Sequence, residues 1–208
     1  MSEEKSIRFA MLVSPKKDRE DNALRIKERI PSLELVEADK DKCDLFTKHL
    51  ETLATSPEEY RGVVMMEDDI ILSRTFEQRF AQVMSEHQSD IVQFFERALA
   101  KKPLKRGYAN GGEFYSCVCY YMPAEFTQVI CSQKWVDSFR AWFPKLGEPW
   151  NYPIDTYIQY VLRNTRMIYW REFPFIVQHG ALKSNFKGRP IYRQSRFFVD
   201  DLEAQDAK

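Results

Sequence analysis

The chain has 208 residues, and its 31 basic and 31 acidic side chains cancel to a formal charge of zero. That balance excludes a general basic coat for nucleic acid but not a local basic patch, and 44% hydrophobic with 14% aromatic content excludes a disordered chain. No stretch approaches the roughly 20 apolar residues of a membrane span, and the polar start Met1-Ser-Glu-Glu-Lys-Ser6 lacks the apolar core of a signal peptide.

The length suits one domain with a substantial core. Cys43, Cys117, Cys119 and Cys131 show neither a Cys-x-x-Cys pair nor zinc spacing, so a cytosolic protein with reduced thiols is expected. Cys117 and Cys119 are expected to pack on one face of a strand.

Residues 7–13 predict a first strand that ends at Ser14-Pro15, followed by a polar loop. Ala23, Ile26 and Ile30 mark a helix stopped by Pro31. Residues 33–36 read as a second strand. Phe46, His49, Leu50 and Leu53 then fall on one face of a second helix. His49 is expected to be packed in place there rather than to bind a metal. A third strand, residues 63–66, delivers Glu67-Asp-Asp69. Thr75 with Gln78 predicts a capping box for a helix striped by Phe76, Phe80, Val83 and Met84, and His87 closes that helix at the surface without a functional signal.

Residues 90–95 predict a fourth strand, and residues 99–113 the longest polar loop, basic and glycine-containing. Residues 114–121 are strand-like, with Pro123 suited to the first turn of a helix. Residues 145–153 are irregular, residues 155–162 helical, and two short strands lead to Gln178-His179-Gly180. Strands alternating with helices predict an α/β domain with a largely parallel sheet.

Gly62-Val-Val-Met-Met-Glu-Asp-Asp-Ile-Ile-Leu-Ser73 sets three consecutive carboxylates between two apolar runs. Acids at the end of a buried strand repel one another and lose solvation unless something compensates them, and a divalent cation on oxygen ligands does so. A solvated acidic turn is the bland alternative. In an extended chain Glu67 and Asp69 point to one side and Asp68 to the other, with the same-side pair roughly 6.6 Å apart along the backbone. His179, at the end of the run Phe173-Pro-Phe-Ile-Val177, is the partner expected to complete the site. Two carboxylates and one imidazole suit Mn2+ or Mg2+ better than zinc. No glycine-rich dinucleotide loop, P-loop or Gly-x-Ser-x-Gly elbow occurs. Those absences argue against a nicotinamide enzyme, a P-loop nucleoside triphosphatase and a serine hydrolase.

The ordered motifs resemble the family 25 glycosyltransferases, the lipopolysaccharide and collagen sugar transferases with a GT-A fold. Val13-Ser-Pro-Lys-Lys-Asp-Arg19 is similar to that family's opening strand and Asp-Arg loop, and Val36-Glu-Ala-Asp39 to its second strand end. Lys48-His49 is similar to its Ser-His helix start, with Lys48 where a serine is usual, and Glu67-Asp-Asp-Ile70 to its metal motif. Ser116 to Ala124 resembles its tyrosine-bearing strand and following helix. Pro153-Ile-Asp155, and Pro174-Phe-Ile-Val-Gln178 with Ser184, resemble its two C-terminal signatures.

The resemblance implies a GT-A domain over residues 1–182, with 183–208 a basic, aromatic tail. It implies a metal-dependent, inverting transfer of a sugar from a nucleotide diphosphate donor, UDP-linked by preference. Asp69, Glu67 and His179 would hold the metal, and Pro15, Arg19, Asp39, Glu67 and Asp68 would face the donor. Asp155 would be the base for the acceptor hydroxyl, or a simple helix cap. The stretch from Lys183 to Phe197 carries five positive charges and no acid. It reads as a solvated tail, as a flap with Lys183 and Lys187 over the diphosphate, or as a contact for a polyanionic acceptor.

A saccharide acceptor is slightly favoured over hydroxymethylated DNA, whose case rests on the basic segments 101–106 and 183–196. A metal-dependent nuclease predicts a lysine soon after the acids, and none occurs at positions 70–76. A carbohydrate-binding module would explain the aromatics but not the acidic triplet.

Overall fold

The computed structural model describes residues 5–38, 45–55, 57–96, 105–114, 116–143, 153–180 and 198. The first apolar run forms β1 (Ser6–Val13), followed by α1 (Lys17–Arg29), β2 (Leu33–Glu37), α2 (Leu45–Leu53) and β3 (Tyr60–Glu67). β1 pairs in parallel with β2 on one flank and with β3 on the other. Parallel neighbours need a crossover, which α1 and α2 supply. Ala23 and Ile26 of α1 pack on one face of the sheet, and Phe46, Leu50 and Leu53 of α2 on the other. The winding therefore reverses at β1, which makes the C-terminal ends of β1 and β3 a topological switch point, the usual place for a ligand in such sheets.

The chain continues through β4 (Ile70–Leu72), α3 (Phe76–His87), β5 (Val92–Gln93), β6 (Gly107–Asn110), a 3-10 turn (Gly111–Glu113), β7 (Cys119–Pro123), α4 (Ala124–Ile130), α5 (Gln133–Trp142), α6 (Ile154–Asn164), β8 (Ile168–Arg171) and β9 (Val177–His179). Among the described residues the main sheet has seven strands in the order β2-β1-β3-β7-β5-β8-β6. Pairing makes β7 and β6 antiparallel to their neighbours, so the other strands share one direction. The result is a mostly parallel α/β sheet flanked by helices. β4 and β9 form a separate antiparallel pair.

Alternation along the central strands divides the core in two. Val64 and Met66 of β3 join Cys119 and Tyr121 of β7 on the α1 and α3 side. Val63 and Met65 join Tyr120 and Met122 on the side of α2, α4, α5 and α6. Each such fully buried apolar side chain contributes about 1.5–3 kcal/mol. β3 is buried on both faces, which explains its unbroken apolar run.

Several expectations are corrected. The predicted polar loop at 99–113 contains β6 and the 3-10 turn; β6 is a four-residue edge strand with Tyr108 57% exposed, so it carries no apolar signal. Thr75 caps α3 by position, but its side chain makes no capping hydrogen bond. Cys117 and Cys119 face opposite cores, because regular pairing begins only at Cys119. His87 is buried rather than superficial: its ring stacks on Trp170 at 3.7 Å and its Nδ1 lies 2.9 Å from Asp90 Oδ2. The edge formed by β6 and β8 covers it, and β6 was hidden in the supposed loop. α5 also went unread.

Candidate metal centre

β3 carries Glu67 to the C-terminal edge of the sheet, and the chain turns at Asp68 and Asp69 before entering β4. β9 returns antiparallel to β4 with His179 opposite Ile70. Gly180 then donates its backbone N–H to the Asp69 carbonyl. A Cβ on Gly180 would lie 2.5 Å from that carbonyl oxygen, so this close approach requires glycine.

Glu67, Asp69 and His179 each offer a ligand atom, all within 4.8 Å of one another. His179 Nε2 lies 3.1 Å from Asp69 Oδ2 and 3.9 Å from Glu67 Oε2. His179 Nδ1 is 2.8 Å from the Gly180 carbonyl oxygen. A carbonyl only accepts, so Nδ1 carries the proton and Nε2 is the nitrogen turned toward the acids. Asp69 Oδ1 is buried without a hydrogen-bond partner among the described residues. A buried orphan carboxylate oxygen is costly, and a cation between Asp69, Glu67 and Nε2 would satisfy it. The donor set therefore fits a divalent ion, and its oxygen majority suits Mn2+ or Mg2+.

The chain does not stay extended here: β3 ends at Glu67 and Asp68–Asp69 form a turn, so the alternation expected for a strand does not hold and Asp68 and Asp69 converge on one guanidinium. Asp68 Oδ2 accepts the Ser14 N–H at 2.6 Å and its Oδ1 accepts from Arg19 Nη1 at 2.7 Å. The same Nη1 lies 2.6 Å from Asp69 Oδ2. Burial opposes the Arg19 charge, but Asp69 and then Asp68 outweigh it and hold the guanidinium above its usual pKa. Asn22 donates to the carbonyls of Asp68 and Ile70 at 2.9 and 3.0 Å, fixing the turn from α1. Pro15 is half-buried in the loop between β1 and α1, next to Ser14. The loops after β1 and β3 thus meet where the sheet winding reverses.

Asp155 lies one residue inside α6; Pro153 is the capping residue, which corrects the simple-cap alternative. Asp155 Oδ1 accepts the Thr156 N–H at 2.8 Å, while Oδ2 has no hydrogen bond among the described residues. Burial pushes the Cys117 thiol well up, and Asp155 and then Glu67 add to it. His49, expected to be packed, is buried with Nε2 2.7 Å from the Tyr120 hydroxyl, and burial lowers its pKa to about 4. Asp39, Lys183 and Lys187 lie outside the described residues, as do the proposed tail boundary, positions 101–104 and all of 183–196.

Sequence reasoning missed Ser14 and Asn22, although Asn22 follows Arg19 at helical i, i+3 spacing and so shares its face. It also missed Glu96, beyond β5, whose Oε2 is 2.5 Å from Arg171 Nε at the end of β8. Burial pushes the Glu96 carboxyl up to about 7 against the pull of Arg171. The signal was available, since Glu96 ends an apolar run as Glu67 does.

No family model and no curated protein matches the chain. Among solved structures it is similar to the crystal structure of A197 from STIV, with 12% identity and a TM-score of 0.40 over 60% of this chain and 67% of that one. The fold description rests on the sheet order and pairing themselves. No helix among the described residues is long and apolar enough to cross a membrane.

Proposed function

We propose that the protein is a GT-A-type, metal-dependent glycosyltransferase that moves a sugar from a nucleotide diphosphate, UDP-linked by preference, to a hydroxyl acceptor. The observation that carries this reading is the Glu67, Asp69 and His179 cluster at the C-terminal end of β3, beside the β1 loop. A bound Mn2+ or Mg2+ would neutralise the departing diphosphate, a Lewis-acid role worth several kcal/mol, or about a thousandfold in rate.

The chain's own residues divide the remaining work. Glu67, Asp69 and His179 hold the ion, and Asp68 with Arg19 fixes the turn. Asp155 Oδ2 takes the acceptor hydroxyl proton as the new glycosidic C–O bond forms and the bond from the anomeric carbon to the diphosphate oxygen breaks, inverting the centre. The base role of Asp155 rests on the sequence resemblance and on its place in the first turn of α6.

A thermal-shift screen of nucleoside diphosphates with and without manganese tests the reading. Stabilisation that needs both components supports it; stabilisation by neither contradicts it. For the acceptor, a saccharide stands slightly ahead because the net charge is zero. Hydroxymethylated duplex DNA would bind mainly through phosphates, with affinity falling steeply between low and physiological salt. No complex at low salt leaves the saccharide.

A further inference from the structure

Arg19 stands at the first turn of α1 and is 3% exposed. Its Nη1 bridges Asp68 Oδ1 at 2.7 Å and Asp69 Oδ2 at 2.6 Å. Asp68 has both oxygens committed, one to Arg19 and one to the Ser14 N–H. Asp69 shares only Oδ2, which also faces His179 Nε2 at 3.1 Å, and keeps Oδ1 buried without a partner among the described residues. Glu67, Asp68 and Asp69 against one guanidinium leave an excess of negative charge in the turn. The Arg19 guanidinium ties Asp68 and Asp69 together in that turn.

Resting on the metal-dependent reading above, we infer that Arg19 is the resident counter-cation of this centre: it holds Asp68 and Asp69 in the ion-free protein and weakens the divalent ion's affinity by competing for Asp69 Oδ2. It is a positioning residue, and its pairing with both acids is unlike the donor-facing role implied by the sequence resemblance. Both contacts run through the single Nη1 nitrogen, so a lysine ammonium, which keeps the charge, can stand in for the bridge where its one nitrogen reaches the same point. The inference has two consequences of opposite sign. Removing the charge leaves three acids uncompensated and destabilises the ion-free protein. It also removes a positive charge beside the ion and tightens ion binding.

The test uses Mn2+ alone, titrated by calorimetry into the wild type, Arg19→Gln and Arg19→Lys, with melting temperatures in EDTA and in saturating Mn2+. Arg19→Gln is expected to bind Mn2+ about tenfold tighter or more, and Arg19→Lys within about threefold of wild type. Arg19→Gln should melt lower than wild type in EDTA, with the gap narrowed by Mn2+. Unchanged or weaker Mn2+ affinity in Arg19→Gln, with an equal drop in melting temperature in both buffers, overturns the counter-cation role while the metal reading stands. If the wild type takes up no Mn2+, both fall. If Arg19→Gln is unfolded in EDTA, recovery in Mn2+ supports the inference and persistent unfolding overturns it.

Discussion

Asp69 and His179 come from distant parts of the chain, and the β4–β9 pairing brings Oδ2 of one to 3.1 Å from Nε2 of the other. Two groups that both bind cations, held this close in a buried site, need a proton or a metal between them. Glu67 at the rim and the orphan Asp69 Oδ1 favour the metal.

Asp69→Asn removes a ligand charge at nearly constant volume. The variant should remain folded by circular dichroism, because Asp68 still pairs with Arg19. The Mn2+-induced rise in melting temperature should vanish and transfer should fall about a hundredfold or more. His179→Ala should weaken Mn2+ binding less, since water can replace one imidazole. Wild-type Mn2+ stabilisation in Asp69→Asn would remove Asp69 from the ligand set.

Asp155→Asn separates base from helix-turn acid. As the base, its loss lowers kcat strongly and leaves donor affinity nearly unchanged. If Asp155 only complements the α6 dipole, the variant instead loses roughly 0.3–1 kcal/mol of stability with kcat intact. Steady-state kinetics beside urea denaturation distinguishes the two.

Two buried groups should shape the pH dependence of stability in opposite senses. Burial lowers His49 from 6.5 to about 4, so below pH 6.5 the unfolded chain takes up a proton that the folded site refuses. Stability from this group is present above 6.5 and lost as pH falls toward 4, by up to about 3 kcal/mol. Burial raises Glu96 from 4.5 to about 7, so its contribution is present below 4.5 and lost as pH rises toward 7. Urea denaturation across this range should show a shallower acid-side loss in His49→Gln and a shallower loss on raising pH in Glu96→Gln. Wild-type slopes in both variants would contradict these assignments.

The sequence made the first half of the fold legible because its signals are local. The runs feeding β1 and β3, and the stripes of α1, α2 and α3, appear directly as short apolar runs and helical patterns. β6 was illegible because the inward face of this four-residue edge strand is only Gly107 and Ala109, too small to give an apolar signal, while Tyr108 and Asn110 face out. The acidic triplet was visible as charge where burial was expected, and His179 as an imidazole at a strand end. Arg19's pairing was not legible. It depends on the β1–β3 register and on where α1 begins, which no local pattern fixes.

The most direct test of the central claim is calorimetric titration of UDP into the protein in Mn2+ and, separately, in EDTA. The account predicts binding in Mn2+ and its loss in EDTA, with Asp69→Asn in Mn2+ behaving like wild type in EDTA. Equal UDP affinity in both buffers, or none in either, would contradict it.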